Sequence, residues 1–208
     1  FSYLWIVDDD GVPCQARYIH GWSEMIDRNQ SSGLNLGKVA IFGVDSREWN
    51  LWMSNMDDRE KLMPLVQLNE VFPGDTNGRD TLFGGRLMSI MDTAAGMAAS
   101  KFCSEDVVTI SVDALKFKRP AYQGDLIRTI ARVVWTSPRT VGVHVTSCRL
   151  SRKNWNPEEI CSGFFFMVAV DSSLKPTNVP QFTPDDEESK RLHAMADRAR
   201  EGMRREDS

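Results

Sequence analysis

Asp75-Thr76-Asn77-Gly78-Arg79-Asp80-Thr81-Leu82-Phe83-Gly84-Gly85-Arg86-Leu87-Met88-Ser89-Ile90-Met91-Asp92 is the stretch that decides the fold. Two glycines open a helical run, so backbone N–H groups without intrahelical partners can approach a ligand oxygen with no side chain in the way. Such donors form an oxyanion site, although Gly-Gly also serves as a plain tight turn. Asp92 stands mid-helix among apolar and small residues, where an unpaired carboxylate is costly and Asp is a poor helix former. A general base or nucleophile accounts for it; so does an acid that faces solvent or a basic partner. Eight residues separate Gly84 from Asp92, roughly 12 Å at the rise of an α-helix. A carbonyl group held at the Gly84 N–H needs its attacking water within about 3.5 Å, so the carboxylate should come from a second copy of the helix.

Outward from this stretch, Val66 to Phe72 reads as a strand and residues 73–78 as a turn. The helix begins near Gly84 and carries the small residues Ala94, Ala95, Gly96, Ala98 and Ala99. These allow a curved sheet to approach its backbone, and Ala also simply favours helix. Four β-rich runs follow: Val107 to Phe117, Asp125 to Trp135, Thr140 to Leu150 and Cys161 to Asp171. One helix followed by consecutive strands reads as α+β with an antiparallel sheet. Thr183-Pro184-Asp185-Asp186 has the form of a helix start, so residues 183–208 read as a peripheral C-terminal helix. Residues 1–60 are an N-terminal extension or the remnant of a preceding repeat, because residues 37–46 parallel residues 163–172 at one offset. The central domain is then 61–182.

The 208 residues are 41% hydrophobic and 26% charged, enough for one good core. A net charge of −4 leaves no broad basic footprint for nucleic acid, so an anionic ligand must be met by a local cluster. Cys14, Cys103, Cys148 and Cys161 are far apart and without nearby His, which argues for free thiols rather than a metal site or disulfide framework. The apolar stretch Leu87 to Ala99 is too short to span a bilayer, and stable membrane insertion is not expected. No targeting segment is visible, so the cytoplasm is the expected compartment and the mitochondrion the alternative. His20, His144 and His193 are isolated and read as structural or exposed.

The run Thr76-Asn77, Phe83-Gly84-Gly85, Leu87-Met88, Met91-Asp92 and Ala94-Ala95, followed by Val107 to Asp113, Phe117, Pro120 and Gly124-Asp125, resembles the hotdog-fold acyl-CoA thioesterases. The branch it looks most like is the cytosolic and mitochondrial long-chain acyl-CoA hydrolases, often built as tandem repeats. The resemblance covers residues 62 to 205 and implies an antiparallel sheet wrapped around a central helix. It implies hydrolysis of fatty acyl-CoA, with Asp92 as the catalytic carboxylate, Asn77 near the thioester and Gly84 or Gly85 as the oxyanion N–H. Ser111 resembles a hydroxyl that orients the nucleophile. Lys116, Lys118 and Arg119, with Arg139-Thr140 and Lys101, are candidates to hold coenzyme A, each weighed against a plain surface charge. Phe83, Met88, Met91 and Met97 are candidates for an acyl tunnel or for the core. No metal and no cofactor beyond the coenzyme A of the substrate is expected, and the unit should be a homo-oligomer, as a dimer or hexamer. Asp80 stands where the family usually has Gly, and Thr93 where Glu is frequent. These departures leave a non-catalytic acyl-CoA-binding subunit as the alternative, while a dehydratase would want a His near the helix.

Overall fold

The computed structural model describes residues 3–7, 13–18, 39–40, 58–153 and 155–206. The chain divides into two units, Phe1–Trp52 and Met53–Ser208. In the first, β1 (Tyr3–Val7) pairs antiparallel with β2 (Pro13–Tyr18) and with β3 (Val39–Ala40). Apart from Val39 and Ala40, the block 37–46 that parallels 163–172 lies outside the described residues.

In the second unit a short helix α1 (Asp58–Leu62) precedes β4 (Leu65–Glu70), the long helix α2 (Gly84–Cys103), and the strands β5 (Asp106–Phe117), β6 (Leu126–Thr136), β7 (Thr140–Leu150) and β8 (Pro157–Val170). A last helix, α3 (Glu187–Glu206), follows. The sheet runs β4-β6-β7-β8-β5, every pairing antiparallel, and α2 contacts all five strands. This is the α+β hotdog arrangement expected above. Leu87, Met91, Ala94, Ala95 and Ala98 of α2 are buried with Ile127, Ala131, Val143, Val145, Phe165 and Met167 of the sheet. The alanines bring helix and sheet backbones close, so larger side chains there would overpack the interface.

β5 is an edge strand, and its pairing with β8 slips twice, between Thr109 and Ser111 and between Asp113 and Lys116. Ala114, within the second slip, has a φ of 51°. Gly163 faces this bulge: a Cβ there would lie 2.9 Å from Leu115 Cδ1 and 3.2 Å from Leu115 Cα. The absence of a side chain at 163 lets the bulged edge strand stay on the sheet.

The C-terminal helix departs from its expected form in two ways. It begins at Glu187 rather than next to Thr183, because Asp186 caps it: Ser189 N–H donates to Asp186 Oδ1 at 2.6 Å and Asp186 N–H donates to Ser189 Oγ at 3.1 Å. The bond from Ser189 N–H holds the exposed Asp186 carboxyl below the usual carboxylate range. It is also more than peripheral: Leu192 and Ala196 are buried with Val134, Trp135, Phe164 and Phe166, and Trp135 Nε1 donates to Asp197 at 3.0 Å.

His144 lies against Phe164, ring centroids 4.9 Å apart, on this second face. Burial pushes its pKa from 6.5 down to about 4; Arg191 and Arg132 add to the depression, and Glu159 and Glu188 oppose it. The folded state thus binds the proton less readily than the unfolded chain. Stability from this group is present above pH 6.5 and is lost as pH falls toward 4. Urea unfolding between pH 7 and 4 is expected to show this slope and to show it flattened in His144→Gln.

Candidate active site

The segment from Phe72 to α2 is organised by two short turns that carry the polar residues of the motif. Pro73–Asp75 forms a turn of 3-10 helix. Asn77 builds the next turn: its Oδ1 accepts from Arg79 N–H at 2.9 Å, its Nδ2 lies 3.0 Å from Thr81 Oγ1, and its N–H donates to Thr81 O at 2.8 Å. Asp80 sits in this turn with a φ of 58°, the left-handed region that glycine occupies without a Cβ penalty. The expected departure from Gly at this position is therefore a strained one. Asp80→Gly should raise stability by about 0.5 to 1 kcal/mol, the gain reduced by the looser unfolded chain; a urea midpoint unchanged or lowered would contradict this.

At the start of α2 the residue before the helix is Phe83, which offers no side-chain cap, and the first turn holds no acid. The first intrahelical bond is Leu87 N–H to Phe83 O at 3.1 Å. The N–H groups of Gly84, Gly85 and Arg86 thus precede the helical ladder, as helix geometry dictates. A side chain at Gly85 would crowd this turn, whereas one at Gly84 would make ordinary contact. A Cβ on Gly85 would lie 2.5 Å from Phe83 Cε1, and one on Gly84 would touch the Phe117 ring at 3.5 Å.

Asp92 is half-buried two turns further along α2, and its Oδ1 accepts a 2.7 Å hydrogen bond from Thr109 Oγ1 on β5. The expected hydroxyl was Ser111. Its Oγ is instead buried without a hydrogen-bond partner, two residues further along β5 on the same face. Thr109 is the residue the motif reading missed; its only sequence signal is the same two-residue alternation that Ser111 shares. Asp92 and Gly84 belong to one rigid helix, about 12 Å apart by its rise, so a single chain does not bring the acid to the open first turn.

The cationic candidates fall into separate groups. Lys116, Lys118 and Arg119 follow one another at the end of β5, where Phe117 meets Gly84. Lys118 pairs with Glu159 and Arg119 lies 3.8 Å from Glu158; Lys116 is exposed. Arg139 is exposed in the β6–β7 turn, near the far end of α2. Two of the candidates are buried. Lys101 is buried, 6% exposed, and its Nζ donates to Met63 O. Thr140 is buried at the start of β7. Neither presents its polar end to solvent at the Gly84 turn. Of the tunnel candidates, Met91 belongs to the core, whereas Phe83 and Met88 are exposed.

The thiols of Cys103, Cys148 and Cys161 are free, and burial raises each pKa, that of Cys161 to about 11. They are poor nucleophiles near neutral pH. Among the described residues no His, Cys, Asp and Glu cluster could hold a metal ion, and no helix is long and apolar enough to cross a membrane.

Residues 80–153 match the family model of the thioesterase superfamily. The Bacillus subtilis protein YkhA, described as an uncharacterized acyl-CoA thioester hydrolase, is 36% identical over 132 residues, covering 64% of this chain and 77% of that one. This chain belongs to the hotdog-fold acyl-CoA thioesterases. Solved structures agree with the assignment. An apo-hexameric acyl-CoA thioesterase superposes with a TM-score of 0.68 at 31% identity, over 74% of this thioesterase and 97% of that chain. An acyl-CoA hydrolase from Staphylococcus aureus, solved with butyryl coenzyme A, coenzyme A and coenzyme A disulfide, gives 0.65 at 30% identity over 72% and 92%. Structures of that hydrolase with alanine in place of an asparagine, an aspartate and a threonine put the three substituted sites 15 and then 17 residues apart. Asn77, Asp92 and Thr109 of this thioesterase stand at the same intervals.

Proposed function

We propose that the chain hydrolyses fatty acyl-CoA to a free fatty acid and coenzyme A, in a site shared between two copies. Asp92 of one copy takes a proton from water, whose oxygen forms the new bond to the thioester carbon, or attacks that carbon itself. The carbonyl oxygen gains charge and is held by the Gly84 and Gly85 N–H groups and the Asn77 amide of the other copy. The carbon–sulfur bond then breaks and the thiolate of coenzyme A leaves; where Asp92 itself has attacked, water then opens the acyl–Asp92 anhydride, which releases the fatty acid and restores the carboxylate. The observation that carries this reading is a half-buried carboxylate, fixed by Thr109, on the same helix whose uncapped first turn lies too far away to serve it.

The solvent-facing Lys116, with Lys118 and Arg119 beside it, suits the phosphates of coenzyme A, and Arg139, exposed in the separate β6–β7 turn, is a further candidate. The hexamers among the similar structures favour a homo-oligomer. The test is thiol release from acyl-CoAs of graded chain length. Turnover with an optimum among the longer chains is expected; absence of release from every acyl-CoA would remove the reading.

A further inference from the structure

The turn that offers the proposed oxyanion donors lacks the usual means of holding a helix start. Phe83 cannot cap it, and its first turn carries a cation, Arg86, at the end of the helix dipole that favours anions. A capping side chain would occupy the very N–H groups the reaction needs, so the turn must be fixed from elsewhere. Asp75 does so from three directions. Its Oδ1 accepts from Arg86 Nε at 2.8 Å, its Oδ2 from Phe72 N–H at 3.0 Å, and its backbone O from Phe83 N–H at 2.8 Å. The Asp75 side chain is only 18% exposed and that of Arg86 45%. The pair therefore joins the loop that carries Asn77 to the helix turn that carries Gly84 and Gly85.

We propose that Asp75 and Arg86 are positioning residues for thioester hydrolysis. They hold the open first turn of α2 in register with Asn77, so that the donors are set before the carbonyl oxygen gains charge. The inference rests on the oxyanion role proposed for that turn. Preorganised donors act through their geometry, and a shift on the order of 1 Å is enough to cost about 100-fold in rate. Breaking the pair should slow the chemical step and leave ground-state binding nearly unchanged, because neither residue is asked to touch the substrate.

The experiment compares kcat, KM and melting temperature of the wild type with Asp75→Asn, Arg86→Gln, Arg86→Lys and the Asp75→Asn/Arg86→Gln double variant. Asp75→Asn and Arg86→Gln should each lower kcat by about 10- to 100-fold with KM within about threefold. The double variant should be no worse than the poorer single one, and Arg86→Lys should regain much of the rate through its charge. Arg86→Gln leaves both backbone bonds of Asp75 in place, and so keeps the test valid if Asp75→Asn does not fold. Wild-type kcat in folded Arg86→Gln, or losses that only follow melting temperature, would overturn the clamp. A wild-type protein inert toward every acyl-CoA would instead sink the thioesterase reading on which the clamp rests.

Discussion

Asp92→Asn should lower kcat for thiol release by about 100- to 10,000-fold, the range that a positioned proton acceptor supplies, and more if the carboxylate attacks directly. The substitution keeps the size of the side chain and its ability to accept from Thr109 Oγ1, which lies 2.7 Å from Asp92 Oδ1. The fold should survive, and substrate binding with it. Thr109→Val is the graded control. It removes the hydroxyl that orients the carboxylate and leaves the acid in place, so a smaller loss, about 10- to 100-fold, is expected from one hydrogen bond to a charged group. A variant lacking the acid that still turns over at the wild-type rate would dismiss Asp92 from the chemistry. Equal losses in the two variants would mean that the hydroxyl matters as much as the acid it holds.

Asn77→Ala should cost about 100- to 1,000-fold, as removal of one oxyanion donor does. Part of the loss has a structural route, because Asn77 Oδ1 also accepts from Arg79 N–H and its Nδ2 meets Thr81 Oγ1. Mixing separates the two contributions from the arrangement of the site. Asp92 and the Gly84 turn are about 12 Å apart on one helix, so in the proposed shared site each centre would take its acid and its amide from different chains. When Asp92→Asn and Asn77→Ala chains are unfolded together and reassembled, half of randomly formed pairs are hybrids. Each hybrid holds one site free of both substitutions, and recovery of up to about a quarter of wild-type activity follows from that symmetry. Hybrids as inactive as their parents would place both residues in sites built from a single chain.

The order of elements was readable along the chain because alternation and turn residues mark it plainly. Thr140 to Leu150 begins and ends where the strand does, and α2 starts at Gly84 as its glycines suggest. The start of α3 was not readable, since Thr183-Pro184 and Asp186 with Ser189 both have the form of a cap. Thr136 Oγ1 decides between them by binding Gln181 Nε2 and Phe182 N–H, each at 2.9 Å, which ties the approach to the end of β6. The cations show the same limit. Lys101 looks like a surface charge in sequence, yet it is buried against Met63 because α1 and β4 pass the end of α2.

Taken alone, the chain of residues determined an α+β order of elements, a helix opened by two glycines and an acid two turns along it. Those features are local, set by periodicity, by propensity and by the rise of a helix. Which hydroxyl meets that acid was left to the folded sheet. Thr109 and Ser111 are equivalent under a two-residue alternation and keep one face of β5; where α2 lies along that strand puts Thr109 Oγ1 2.7 Å from Asp92 and leaves Ser111 Oγ buried without a partner.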